Sequence, residues 1–266
     1  MTGSTSLMPG AEPFFYPRGT VGCLLVHGFM SSPGEVRWLG QHLAEQNRTV
    51  CGVRLAGHGS DYHDMTRVRW QDWYGSLLDG YHLLKNHCSH IYVVGHSMGG
   101  TLALLAAADL PMDGVIVLAA PVQFTSRTLA LAFLLRHVLH YVDGRDTSEL
   151  PQRVRGEQAQ RGEPVRGRIR YDTWSVHALA ELVALAKAAR AQLPRITVPA
   201  CLMYATQDQT APISNRELIA GQIRSKVIEV QTLYTSGHNL ALDAECETVF
   251  QLTADFIWRH SQETGQ

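Results

Sequence analysis

The stretch Ile91-Tyr92-Val93-Val94-Gly95-His96-Ser97-Met98-Gly99-Gly100-Thr101, followed by the apolar run 102–108, decides the fold. Four β-prone residues enter Gly-x-Ser-x-Gly and an alanine- and leucine-rich segment leaves it, so the local order is strand, sharp turn, helix. A serine at the apex of such a turn occupies strained backbone and needs small neighbours two residues away on each side. Gly95 and Gly99 meet that need. The Ser97 hydroxyl then stands above the edge of a sheet, and the new helix aims its unsatisfied N–H groups at whatever the serine attacks.

On either side of this turn the chain alternates. Residues 21–26 are continuously apolar, as buried parallel strands are, and run into His27-Gly28-Phe29-Met30. Ser32-Pro33-Gly34-Glu35 has the form of a capping box opening a helix through Val36, Leu39, Leu43 and Ala44. Strands are predicted at 49–55, 114–120, 199–205 and 227–233, and helices at 69–86, 175–193 and 243–259, with 13–17 as a short edge strand. This order predicts an α/β domain: a mostly parallel central sheet with helices on both faces, binding its ligand at the carboxyl ends of the strands. Between 121 and 171 the rhythm breaks. Residues 128–141 are apolar on most faces, which predicts a helix buried between a core domain and a cover. The division is therefore a core of 1–120 and 172–266 with a small inserted cap at 121–171. Within the cap, 145–170 holds seven arginines against four acids, a solvated face by default or a seat for an acidic substrate tail.

The totals narrow the function. Basic and acidic residues number 23 and 24, so no overall field favours nucleic acid or an anionic membrane. Cys23, Cys51, Cys88, Cys201 and Cys246 are scattered without Cys-x-x-Cys spacing, which predicts free thiols in a reducing compartment. Residues 1–11 lack the pattern of a secretory signal, and no apolar run is long enough for a membrane span. A soluble cytoplasmic protein with a small-molecule substrate is expected. No metal or organic cofactor is implied, because no ligand cluster has the needed spacing.

Ser97, Asp208 and His238 each follow a predicted strand at its carboxyl end, in the chain order of the α/β-hydrolase arrangement. A serine hydroxyl needs a base to take its proton, imidazole titrates in the right range, and a carboxylate behind it holds the tautomer. Ser97 is thus the candidate nucleophile, His238 the base and then acid, and Asp208 the orienting group. Asp243 is a rival acid, placed by its proximity to His238 on the final helix. His27 and His58 read as loop histidines bonded to backbone. Backbone N–H groups of Phe29 and Met98 are the candidate oxyanion donors.

With Leu25-Val26-His27-Gly28-Phe29, Gly57-His58-Gly59, Gly95-His96-Ser97-Met98-Gly99-Gly100, Asp208 and Ser236-Gly237-His238 in view, the chain resembles the serine carboxylesterases and monoacylglycerol lipases of the α/β-hydrolase family, in particular small bacterial carboxylesterases with a minimal cap. The resemblance implies a triad of Ser97, Asp208 and His238, oxyanion N–H groups from Phe29 and Met98, and cleavage of short- to medium-chain acyl esters or monoacylglycerols. Two alternatives stand beside it. One is thioester cleavage or acyl transfer by the same triad, with cap arginines such as Arg153, Arg155 and Arg166 gripping a phosphate-bearing carrier. The other is a non-catalytic module that uses the pocket only to bind.

Overall fold

The computed structural model describes residues 6–262 apart from 125, 127, 128 and 130. Among them a seven-stranded sheet forms the core, in the order β1 (Phe14–Tyr16), β3 (Thr49–Val53), β2 (Val21–Val26), β4 (His90–His96), β5 (Gly114–Leu118), β8 (Ala200–Ala205) and β9 (Ile228–Leu233). Every pairing is parallel except that of β1, which lies antiparallel on β3 at one edge. The central strands are buried along their length because helices cover both faces, which is why they read as unbroken apolar runs.

Helix α1 (Arg37–Glu45), α2 (Trp70–Lys85) and α3 (Met98–Asp109) follow β2, β3 and β4 in turn. Residues 98–107 of α3 are buried on every side. Such a helix has no polar face to show, and it lies between the sheet and α6 (Val176–Gln192). Helix α7 (Ser214–Gln222) joins β8 to β9, and α8 (Cys246–Gln262) closes the domain. No helix among the described residues is long and apolar enough to cross a membrane.

Two local expectations are corrected. Ser32 does not close a capping box: residues Pro33–Val36 form a 3-10 turn, and the Ser32 hydroxyl bonds to nothing among the described residues. The Glu35 side chain turns inward instead, where a charged partner holds it more strongly than an exposed helix end would. Of the apolar run 128–141, residues 128 and 130 lie outside the described residues, and the described part holds the short helix α4 (Ala132–Leu135). Leu131, Phe133, Leu134, Val138 and Leu139 face solvent, Val138 at 79% exposure. Among the described residues, the face carrying Ala132 packs with Val176 and Ala180 of α6, and Leu129 and Leu135 lie against the same cluster.

Between β5 and α6 the chain also builds β6 (Tyr141–Asp143), α5 (Leu150–Gln160) and β7 (Thr173–Ser175). Strands β6 and β7 pair as an antiparallel ribbon. Tyr171 stitches this segment to the core: its N–H donates to the Met30 carbonyl (2.8 Å), and its hydroxyl accepts from Ser60 N (2.7 Å) and donates to Gly57 O (3.0 Å).

Candidate active site

The turn after β4 carries Ser97 at φ 53° and ψ −120°, a region that L-residues avoid at a cost of about 1–3 kcal/mol. Close backbone crossings enforce it. A Cβ on Gly95 would lie 2.1 Å from the Gly99 carbonyl oxygen, and one on Gly99 would lie 2.2 Å from that of Val26. The Ser97 N–H is anchored to Leu118 O on the neighbouring strand (2.8 Å), and its carbonyl accepts from Thr101 N (3.0 Å) one turn into α3. The side chain is thereby fixed at the carboxyl edge of the sheet, 7% exposed.

Loops after β8 and β9 bring the other two predicted residues to it. His238 Nε2 lies 2.8 Å from Ser97 Oγ, and Nδ1 lies 2.7 Å from Asp208 Oδ2. Asp208 accepts with its other oxygen from the N–H groups of Thr210 (2.7 Å) and Ala211 (2.9 Å). Burial alone would raise its pKa, but the hydrogen bond and charge of His238 and these two N–H groups hold the carboxyl below its ordinary value. A carboxylate at Nδ1 selects the imidazole tautomer that carries its proton there, leaving the Nε2 lone pair toward the serine hydroxyl. Asp243, the rival, is occupied elsewhere: it accepts from Gly237 N (2.8 Å) and Ala244 N (2.8 Å).

Sequence reasoning missed the residue that shapes the loop before His238. Glu245 gathers the N–H groups of Tyr234 (3.0 Å), Thr235 (2.9 Å) and Ser236 (2.8 Å) on its two carboxylate oxygens. Burial opposes its ionisation, yet these donors and Ser236 lower its pKa from 4.5 to about 2. Because the folded state binds this proton less readily than the unfolded chain, the contribution of Glu245 to stability is complete above pH 4.5 and is lost as the pH falls to about 2. Glu245→Gln should therefore lower the thermal midpoint by roughly 3 °C at pH 7. Differential scanning fluorimetry should show that gap closing as the pH is taken from 5 to 3. A gap that stays constant would mean that the carboxylate charge is irrelevant to the loop.

The loop after β2 lies against the serine from the other side. A methyl group placed on Gly28 would approach Ser97 Cβ to 3.3 Å. His27 holds the loop as expected of a structural histidine: its Nδ1 bonds to Gly28 O (2.8 Å), and its Nε2 accepts from Leu55 N (3.2 Å). Burial pushes its pKa down to about 4, so it is neutral. His58, packed edge-on against it at 5.0 Å, is likewise driven down by burial. The Phe29 ring meets Trp73 of α2 and Trp174 of β7 at 6.1 and 5.8 Å, so this loop packs against both elements. Met98, the residue after Ser97, opens α3 and carries one of the first-turn N–H groups that the helix itself cannot satisfy.

Behind the loop sits a second, fully buried acid–base pair. Glu35 Oε2 accepts from Gly28 N (2.6 Å) and lies 2.9 Å from His96 Nδ1, while His96 Nε2 lies 2.8 Å from the carbonyl oxygen of His238. Arg168, only 9% exposed, lies 3.8 Å from the other Glu35 oxygen, bonds to Asp146, and donates to Asn239 Oδ1 (2.6 Å). Burial disfavours charge on both members of the pair, but mutual attraction wins: Glu35 is held well below the usual carboxylate range and His96 is raised above its ordinary value. A cavity of about 290 Å³ opens beside Glu35 and Arg168 between α1 and α5, and none of Ser97, Asp208 and His238 lines it.

A Ser–His–Asp hydrogen-bonded chain at the carboxyl edge of such a sheet, with the serine on a strained strand-to-helix turn, defines an α/β-hydrolase. Residues 17–245 match the hydrolase family described as serine aminopeptidase, S33, and the chain belongs to that family. It is 31% identical over 262 residues to a thermostable monoacylglycerol lipase of Bacillus sp. (strain H-257), covering 98% of this chain and 100% of that one. A carboxylesterase of Bacillus subtilis (strain 168) is 24% identical over 247 residues, covering 92% of this chain and 96% of the other. A solved structure from LipS and LipT, two metagenome-derived lipolytic enzymes, superposes with a TM-score of 0.87 at 28% identity, covering 96% of this chain and 100% of that chain.

Proposed function

We propose that the protein hydrolyses carboxylic esters, short- to medium-chain acyl esters or monoacylglycerols, through an acyl-enzyme on Ser97. The observation that carries this reading is the continuous chain from Ser97 Oγ through His238 to Asp208, at 2.8 and 2.7 Å. In this mechanism His238 Nε2 takes the hydroxyl proton as Ser97 Oγ attacks the carbonyl carbon. The same imidazole then delivers that proton to the leaving alcohol, and water repeats the sequence to release the acid. Backbone N–H groups of Phe29 and Met98 are the proposed donors to the tetrahedral oxyanion. The names of the two Bacillus relatives support an ester over other acyl substrates.

Residues 121–171 act in this reading as a cap over the site, with Trp174 just beyond them against Phe29. Cytoplasmic residence is proposed on the same terms, supported by five cysteines that are all free and buried. An arginine cradle for a phosphate-bearing carrier would have to rest on Arg153, Arg155 and Arg166, because the other four arginines of 145–170 are ion-paired. Arg145 pairs with Asp143, Arg161 with Glu157 and Glu247, and Arg168 and Arg170 with Asp146.

Hydrolysis rates for p-nitrophenyl esters from acetate to palmitate, with a monoacylglycerol series in parallel, test the proposal. Turnover should peak at short to medium chains in both series. No turnover on any ester, from protein whose Ser97 still reacts with a fluorophosphonate, would overturn the esterase reading in favour of thioesters or acyl transfer.

A further inference from the structure

The triad residues come from three loops, and nothing in the triad fixes where the loop after β2 stands relative to them. One buried carboxylate makes that connection. Glu35 Oε2 holds Gly28 N in the loop beside Ser97, and also faces the ring of His96, the residue before Ser97. Across that ring, His96 Nε2 faces the backbone oxygen of His238. Both partners of the imidazole are acceptors, so both ring nitrogens must donate, and His96 is an imidazolium on geometry alone. A neutral ring would either withdraw its donor from the His238 carbonyl oxygen or set a bare ring nitrogen against the Glu35 carboxylate. The charge of Glu35 is therefore what lets His96 bridge the serine turn to the His238 loop. Arg168 adds a third link, setting its guanidinium near Glu35 while donating to Asn239, the residue after His238.

We infer that Glu35 is a positioning residue for the hydrolysis proposed above, its carboxylate registering the loop of Gly28 directly, and the loop of His238 through His96, against Ser97. Glu35 touches neither substrate nor the reacting atoms and acts on rate only through alignment. Misplacement of catalytic groups by about 1 Å costs on the order of 10²-fold. Removing the charge should accordingly lower kcat and leave KM, which reports substrate contacts made elsewhere, nearly unchanged.

The test is a double-mutant cycle of Glu35→Gln, His96→Asn and the double variant on a p-nitrophenyl ester that the parent cleaves. Rates are divided by the number of serine sites that a fluorophosphonate labels at completion, so unfolded molecules do not count. Each single change should lower kcat per labelled site by roughly 30- to 100-fold with KM within about threefold. The double variant should be no slower than the worse single, because both interrupt one connection. A Glu35→Gln kcat within about threefold of the parent, or losses that multiply, would overturn the inference. Should Glu35→Gln fail to fold, His96→Asn alone must show the kcat loss at unchanged KM, and its absence is equally decisive. If the parent itself cleaves no ester, the proposed function fails separately. The cycle is then read from fluorophosphonate labelling rates, which Glu35→Gln should slow by a similar factor.

Discussion

Ser97→Ala is expected to lower ester turnover by about 10⁵- to 10⁶-fold, to the residual rate that binding and backbone donors alone can sustain. The fold should survive, because the geometry of the turn is dictated by its neighbours. Gly95 and Gly99 cross other backbone within distances no Cβ allows, and Ser97 N is tied to Leu118 O whatever side chain it carries. A companion substitution separates function from strain. At φ 53° and ψ −120° every residue with a Cβ is penalised, serine and alanine alike. Ser97→Gly relieves about 1–3 kcal/mol of that strain and gives back roughly 0.5–1 kcal/mol through the greater freedom of the unfolded chain. The glycine variant should thus be inactive and also about 1 kcal/mol more stable than the alanine variant in urea denaturation. Equal midpoints would mean that the strain is absorbed elsewhere. Retained turnover in Ser97→Ala, above what contamination explains, would remove Ser97 as the nucleophile.

The parts of the site that could be read from sequence are those whose signal is local. Ser97 lies between two glycines that only a tight crossing requires, and Asp208 and His238 each follow an apolar run at a strand end. The parallel sheet was legible for the same reason, since helices on both faces leave the strands no polar alternation. Glu35 was not legible, because serine with glutamate three residues later has an adequate local explanation as a helix cap. What draws the carboxylate inward is His96, a residue at the end of β4 that sequence spacing cannot place beside it. Arg168 was hidden in a run of arginines, most of them solvated or paired at the surface, and only the Asp146, Glu35 and Asn239 contacts set it apart. The apolar run 128–141 failed differently. Side-chain polarity gives the total of apolar surface but not how much of it meets a neighbour, and among the described residues here Leu131, Phe133, Leu134, Val138 and Leu139 stay exposed.

Asp208→Asn should lower kcat by about 10⁴-fold, although it preserves the size and shape of the side chain. The direction follows from which oxygen is already committed. Asp208 Oδ1 accepts from two backbone N–H groups, Thr210 at 2.7 Å and Ala211 at 2.9 Å, while Oδ2 faces His238 Nδ1 at 2.7 Å. An asparagine has one oxygen, and two buried N–H donors hold it on their side, since turning the amide would set its NH₂ against them. The amide NH₂ is then left facing Nδ1. It donates there, Nδ1 becomes an acceptor, and the imidazole proton moves to Nε2, the nitrogen 2.8 Å from Ser97 Oγ. A ring that donates toward the hydroxyl cannot take the proton from it, so the base is lost with every atom close to its place. This outcome differs from that of Asp208→Ala, which leaves the two backbone donors unsatisfied and should cost stability as well as rate. The discriminating measurement is the pair of kcat ratios alongside thermal midpoints: a slow asparagine variant with a near-parental midpoint, and an alanine variant that is both slow and less stable. An asparagine variant within tenfold of the parent would mean that the tautomer is set by some group other than Asp208. Asp243, already holding Gly237 N and Ala244 N, would have to leave both to serve as its replacement.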